Sequence, residues 1–292
     1  GVPLTLLSMT EEHEIAVIEM GANHMGEIKE LCEIAEPDFG LITNVGVAHI
    51  DGFGSVENIV KTKKELFDYL ELKGGKAFVN HSLKDKLQLS TMQMNMNEYG
   101  VNNPSLFVSG SIEAKYPYLE VGWMFSRKEY KTTTNLVGDY NLDNVLAAIT
   151  VGCFFGVNSA FINDAIESYI PQNSRSQYKR TERNTLIIDS YNANPTSMRA
   201  ALEHFVDYPQ EPKALIIGEM RELGGVSKEE HQQLVDLIDA YHFDVVYLIG
   251  KAFGGLQTDS PIYDDIGEIM VDMQNHPLEN HCVLVKGSNG VQ

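Results

Sequence analysis

Cysteine is scarce in this chain, and so is positive charge. Cys32, Cys153 and Cys282 are odd in number, far apart and outside any zinc-type spacing. That excludes a disulfide framework and points to free thiols in a reducing, cytoplasmic setting. Lysine and arginine number 22 against 41 aspartates and glutamates, a net charge of −19. The basic face needed to hold nucleic acid or an anionic membrane non-specifically is therefore missing. No apolar run reaches the length of a membrane span. The phosphate-cradling string G-x-x-x-x-G-K-[ST] is absent too, since Gly75-Lys76-Ala77 and Gly250-Lys251-Ala252 lack both its spacing and its hydroxyl. There is no internal repeat or extended low-complexity tract. The opening Gly1-Val2-Pro3-Leu4 has neither an initiator methionine nor a signal-peptide pattern, and reads as a start within a domain.

What is present suits two α/β domains. The 292 residues are 43% hydrophobic, enough for two buried cores. In the first half, strand and helix signals alternate as in a parallel sheet with crossover helices. Ile15-Ala16-Val17-Ile18 is an expected strand ending at Glu19, and residues 27–35 an expected helix stopping before Pro37. Leu41-Ile42-Thr43 and Ala77-Phe78-Val79 read as further strands, with a helix over 56–70 between them. Residues 100–140 suggest a β-rich hairpin region, and 142–155 a helix; the methionine-rich stretch 92–96 has no evident role. The polar 171–177 segment is the best linker, dividing the chain into domains 1–170 and 171–292. Beyond it, strands at 185–188, 214–217, 245–249 and 283–285 alternate with helices near 196–206, 228–241 and 265–275, a Rossmann-like pattern.

The candidate functional residues cluster where strands would end. Leu186-Ile187-Ile188 runs into Asp189, then a polar turn, then Pro195 at a position where a helix can begin without losing a hydrogen bond. Ligands of open α/β sheets bind in such loops. Glu19 would follow its own strand, placed to hold a hard cation, and a second loop brings Asn44 and His49. Asn141 and Asn144 are three apart on one helix face, able to read a base edge or, for Asn141, simply to cap the helix.

Lys63 stands out by its position on the helical wheel. With ~100° per residue, Val56, Ile59, Val60, Leu66, Phe67 and Leu70 fall within about 60° of it, whereas Lys61 and Lys64 lie roughly 160° and 100° away. An unpaired ammonium in the middle of an apolar stripe is costly. The side chain can snorkel, pair with an acid, or lose its proton and add CO2 to become an anionic carbamate able to ligate metal.

Several strings resemble the bacterial Mur ligase family, and within it the branch that adds D-alanyl-D-alanine. They are Glu19-Met20-Gly21-Ala22-Asn23-His24, the segment 43–49, Lys61-Thr62-Lys63-Lys64-Glu65-Leu66-Phe67, the segment 138–144 and Asp189-Ser190-Tyr191-Asn192-Ala193-Asn194-Pro195. The resemblance implies an incomplete central P-loop-type domain followed by a Rossmann-like C-terminal domain. It also implies ATP and Mg2+ as cofactors, with UDP-N-acetylmuramoyl-tripeptide and D-alanyl-D-alanine as the molecules joined through an acyl phosphate. The protein would be monomeric, with no nucleic-acid partner and no membrane insertion.

By the same resemblance, Glu19, His49 and a carbamylated Lys63 would bind Mg2+ and act in catalysis. Asn141 and Asn144 would meet adenine, Arg175 phosphate and Asp189 ribose, while Tyr191, Asn192 and Asn194 would face the nucleotide or the dipeptide. Gly218-Glu219-Met220, His231 and Lys286-Gly287-Ser288 also match, although Asn289 stands where many members carry arginine. Because family members place their phosphate loop just upstream of the stretch resembling Gly1–Leu7, this chain is expected to be inactive by itself. The rivals are another amino-acid ligase of the same superfamily and a non-catalytic remnant that binds a nucleotide or a partner.

Overall fold

In the computed structural model, residues 1–46, 50–172 and 174–288 are described. The first sheet contains β1 (Phe39–Leu41), β2 (Lys76–Asn80), β3 (Asn95–Val101), β4 (Val108–Ala114), β5 (Glu120–Phe125) and β6 (Lys128–Thr133), in sequence order. β1 to β4 pair in parallel, and β5 and β6 antiparallel. The expected parallel domain is thus mixed. β5 and β6 are joined through Ser126 and Arg127, at φ 50° and 64°, the left-handed pair of a two-residue hairpin turn, and so short a connection can make only an antiparallel pair.

The helices of this half are α1 (Val2–Leu7), α2 (Glu27–Ala35), α3 (Ile50–Phe53), α4 (Val56–Lys73), α5 (Leu142–Phe154) and α6 (Ser159–Ser168). α4 begins where the Ser55 side chain accepts the Asn58 N–H, and ends at Gly74, whose φ of 73° suits a residue without a side chain. Its inward face seats Ile59, Phe67 and Leu70 in an apolar cluster with Val79, Leu87 and Leu89. Met92, Met94 and Met96 pack against that cluster, so the methionine-rich stretch fills the floor of a core.

The strand expected at Ile15–Ile18 does not form. Residues 15–20 are irregular, with Ile15 59% and Val17 88% exposed. Four apolar residues make a strand only when a neighbouring edge supplies hydrogen bonds and a buried face, and here β1 is an end strand of the sheet. Glu19 consequently lies exposed on an irregular segment rather than at a strand's carboxyl end.

The second sheet is built from β7 (Gln177–Arg180), β8 (Thr185–Asp189), β9 (Lys213–Gly218), β10 (Val245–Ile249), β11 (Ile262–Tyr263) and β12 (Cys282–Lys286). Its spatial order is β11-β10-β9-β12-β8-β7, parallel except for the β7–β8 pair. The helices α7 (Pro195–Val206), α8 (Ser227–Tyr241) and α9 (Ile266–Asn275) complete it. Because the last strand inserts between β8 and β9, Lys286 comes into register with Asp189 at the carboxyl ends. The two halves share a seam: Val137 is buried within the second domain's core, and Tyr116, Tyr118 and Tyr140 pack against it. Among the described residues no helix is long and apolar enough to cross a membrane.

Two leucines near the end of α4 give a direct check on this packing. Leu70 is 0% exposed and Leu72 81%. Leu70→Ala is expected to lower unfolding free energy by about 2–5 kcal/mol, and Leu72→Ala by no more than about 0.5 kcal/mol, as read by urea denaturation.

Candidate functional site

Three middle-domain motifs are tied together around the N-terminal half of α4. Glu65, two residues after Lys63, accepts the Gly26 N–H with one carboxylate oxygen and the Lys29 N–H with the other, at 2.9 Å each. It thereby caps α2 and holds the preceding loop. Glu27 grips the same loop from the other side, its Oε2 accepting the Asn23 N–H at 2.7 Å and the His24 N–H at 3.0 Å. Gly52 approaches the Asn23 carbonyl so closely that a Cβ there would stand 2.2 Å from the oxygen.

Lys63 is half-buried beside the apolar face of α4, and its Nζ donates to the Asn44 carbonyl at 2.8 Å. Lys86 donates to the next carbonyl, that of Val45, at 2.7 Å. Burial, and then the neighbouring Lys86 charge, lower the Lys63 pKa below its ordinary value. The neutral amine is the form that reacts with CO2, and Lys86 would offset the negative charge of a carbamate. His49 lies outside the described residues, as does Asn289. Among the described residues no three His, Cys, Asp or Glu side chains gather as a metal site. Of the residues expected to bind metal, Lys63 is half-buried against the Asn44 carbonyl and Glu19 lies on the largely exposed 9–25 segment.

The proposed nucleotide residues form a continuous hydrogen-bonded seam. Asn141 is buried, and its Nδ2 donates to Val137 O at 2.9 Å and to Ser176 Oγ at 3.2 Å. Asn144 donates to Asn141 Oδ1 at 3.4 Å, so the two amides do share a face, with Asn144 the exposed one. From the linker, the Ser176 N–H reaches Asp189 Oδ1 at 3.1 Å, while Lys286 Nζ binds Asp189 Oδ2 at 2.6 Å. Lys286 is 2% exposed, a fully desolvated ammonium satisfied by this carboxylate.

Arg175 lies on the surface with its guanidinium 3.6 Å over the Tyr191 ring centroid, a flat cationic platform beside the seam. Its neighbours Ser174 and Ser176 take φ of 57° and 48°, a left-handed backbone that non-glycine residues adopt at some cost. Asn192 Oδ1 accepts the Ala193 N–H at 2.8 Å. Asn194 caps α7, exchanging hydrogen bonds with Ser197 at 2.9 and 3.2 Å. Of the polar residues in this turn, Tyr191 and Asn192 are exposed and Asn194 is half-buried.

Two contacts join loops of the two domains. Gly46 lies against Thr196, 3.5 Å from its Oγ1 to an ideal Cβ position, and the Asp51 N–H approaches Glu222 O at 3.5 Å. The loop carrying Glu222 is set by His231, 0% exposed, whose Nε2 accepts the Met220 N–H at 2.9 Å while Nδ1–H donates to Ser227 O at 2.7 Å. This pairing requires a neutral ring, and burial depresses its proton affinity below the ordinary histidine value. Glu65, Lys86, Ser176 and Tyr140 were not signalled by the motifs as site residues. Glu65 and Tyr140 lie inside quoted strings, whereas Lys86 and Ser176 are recognisable only from the fold.

Comparison with known proteins places this geometry. The family model described as "Mur ligase middle domain" matches residues 1–152, and "Mur ligase, glutamate ligase domain" matches residues 174–289. UDP-N-acetylmuramoyl-tripeptide–D-alanyl-D-alanine ligase of Bacillus subtilis (strain 168) is 31% identical over 308 residues, covering 100% of this chain and 65% of the relative. The protein of the same name from Escherichia coli (strain K12) is 31% identical over 297 residues, covering 99% and 65%. A crystal structure of MurF from Acinetobacter baumannii superposes with a TM-score of 0.84 at 26% identity, covering 100% of this chain and 65% of that one. MurF ligase from Thermotoga maritima, solved in complex with ADP, gives 0.84 at 24% identity, covering 100% and 68%, a likeness of fold. The chain thus spans about two thirds of the length of the relatives it matches.

Two outcomes follow from the buried polar groups. Lys286→Met leaves Asp189 without its cation and is expected to cost about 3 kcal/mol in chemical denaturation. His231 gives stability that is complete above the unfolded-state value of about 6.5 and declines as pH falls below it, because the unfolded chain then binds the extra proton. The slope of melting temperature against pH between about 7.5 and about 5.5 is expected to shrink in His231→Gln.

Proposed function

This chain belongs to the Mur ligase family, and from that membership we propose that its two domains serve an ATP-dependent ligase joining D-alanyl-D-alanine to UDP-N-acetylmuramoyl-tripeptide in peptidoglycan-precursor synthesis. The observation that carries this reading is the Asn141–Ser176–Asp189–Lys286 chain, which joins strings from both domains across their seam. The relatives bearing that activity in their names match both domains in order.

In this reading, Asn144 faces the adenine edge and Asn141 stands behind it, holding the linker. Asp189, fixed by Lys286 and Ser176, is left with lone pairs for a ribose hydroxyl. Arg175, stacked on Tyr191, supplies positive charge for phosphate, which an otherwise acidic protein must provide locally. Tyr191 and Asn192 border the space for the incoming dipeptide, and Asn194 sets the angle of α7 beneath them.

Mg2+ would supply charge neutralisation on the phosphates, held by Glu19, His49 and a carbamate on Lys63. The Lys63 amine suits that modification, being half-buried and next to Lys86. Residues 9–25 would have to bring Glu19 toward it. The domain division follows the seam, with 1–170 as the middle domain and 171–292 as the C-terminal domain. The 292 residues hold no phosphate loop, so the chain alone is proposed not to turn over.

The test is phosphate release with ATP, Mg2+, UDP-N-acetylmuramoyl-tripeptide and D-alanyl-D-alanine, for this chain beside a polypeptide extended upstream through a phosphate loop. Release by the extended protein alone, dependent on the dipeptide, is the expected result. Silence from both, with the extended protein shown to be folded, would overturn the ligase reading in favour of a binding remnant. Release by this chain alone would overturn its proposed inactivity. Separately, Lys63→Arg in the active extended form is expected to lower turnover by at least about 100-fold, since a guanidinium cannot carry a carbamate; excess short-chain carboxylate should restore part of the loss in Lys63→Ala and none in Lys63→Arg.

A further inference from the structure

His204 sits near the end of α7, on the C-terminal side of the seam, and is 5% exposed. Three aromatic rings surround its imidazole. Tyr116 and Tyr140, both from the middle domain, lie 5.0 and 6.2 Å away between centroids, and Tyr208 lies 6.4 Å away. Asp139 Oδ1 stands 3.5 Å from His204 Nδ1, and among the described residues neither ring nitrogen completes a hydrogen bond. The other Asp139 oxygen binds Lys115 Nζ at 2.7 Å. The Tyr116 hydroxyl donates across the seam to the His204 carbonyl at 3.4 Å. A cleft of about 310 Å3, lined also by Glu203 and Asp207, opens beside the group.

A buried imidazole with both nitrogens unfilled is expensive, and an apolar ring would suit this aromatic box better. The property that histidine alone brings here is a change of charge near neutral pH. We propose that His204, Asp139 and Lys115 form an interdomain latch that positions the C-terminal domain on the middle domain, seated while His204 is neutral and loosened when it takes up a proton.

The direction follows from the surroundings. Burial lowers the proton affinity of His204; Asp139 raises it, Lys115 lowers it, and Asp207 raises it, leaving it below the ordinary value. An undocked His204 is in water and returns to about 6.5. The undocked state then binds more protons, so docking weakens as pH falls below that value. The other groups facing the ring are Lys115 and Tyr116 from the β4–β5 connection, Asp139 and Tyr140 from the turn before α5, and Glu203, Asp207 and Tyr208 from its own side. Burial works to raise the Asp139 carboxyl, but Lys115 and His204 hold it below the usual carboxylate range. Burial pushes the hydroxyls of Tyr116, Tyr140 and Tyr208 upward, so they stay protonated. Since α7 begins at the turn after Asp189, its seating bears on how Asp189 sits against the Ser176–Asn141–Asn144 chain.

The latch needs no nucleotide, so its test is separate from the ligase reading. Dyes are placed at Leu72→Cys and Val271→Cys, exposed positions on the two domains, and energy transfer is followed without ligand from about pH 8 to about pH 5.5. The expected result is one narrow distance distribution at the upper pH that broadens below about 6.5. In His204→Phe it stays narrow throughout. Lys115→Met, which leaves Asp139 wholly to a protonated His204, reduces the broadening. A wild-type distribution that does not change with pH, or equal broadening in His204→Phe, would overturn the proposal. Should His204→Phe not fold, broadening in Lys115→Met equal to wild type would do the same.

Discussion

A lysine ammonium taken wholly out of water has few places it can be, and Lys286 has one: against the Asp189 carboxylate, 2.6 Å away. The pairing arises because β12 inserts between β8 and β9, which brings the ends of the first and last central strands of that sheet together. With one oxygen held by Lys286, Asp189 offers the other to the Ser176 N–H, and Ser176 in turn holds Asn141. One buried charge pair thus fixes the linker, and through the linker the start of α5 in the other domain. The left-handed backbone on either side of Arg175 is sustained by these contacts and leaves the guanidinium lying on Tyr191.

In the first domain the motif loops are organised by an acid rather than by a base. Glu65 occupies two orphan N–H groups at the start of α2, where a carboxylate is also favoured by the helix dipole. That contact ties the loop after Glu19 to the helix that carries Lys63. Lys63 and Lys86 then donate to successive carbonyls, concentrating two ammonium groups on one turn of backbone. In a chain with net charge −19 this pair and Arg175 are local exceptions, of the sign that the proposed anionic nucleotide requires.

Where local chemistry decides an element, the sequence was enough. Residues 27–35 end before Pro37, α4 runs between a serine cap and Gly74, and the β-branched runs of the C-terminal half became central parallel strands. Where pairing decides, it was not. Ile15–Ile18 has strand composition yet stays outside the sheet, while the polar Gln177–Arg180 forms an edge strand because β8 offers it hydrogen bonds. The site divides in the same way. The wheel put Lys63 in the middle of the apolar stripe of α4, where the structure has it half-buried, and i,i+3 spacing placed Asn141 with Asn144. Ser176, Lys86 and His204 carry no local signature, since their partners lie on other elements that only the fold brings near. Asn194 shows the limit of motif reading, for its amide is engaged in capping α7 within the very string that singled it out.

Asp189 anchors the interdomain linker through the Ser176 N–H. Amide hydrogen exchange at Ser176, in wild type and in Asp189→Ala, tests it most directly. The structure predicts a protected Ser176 amide in the wild type, with protection lost in the variant while the strands of both sheets keep theirs. A Ser176 amide that exchanges at the free-chain rate in the folded wild type, or one equally protected without Asp189, would contradict it.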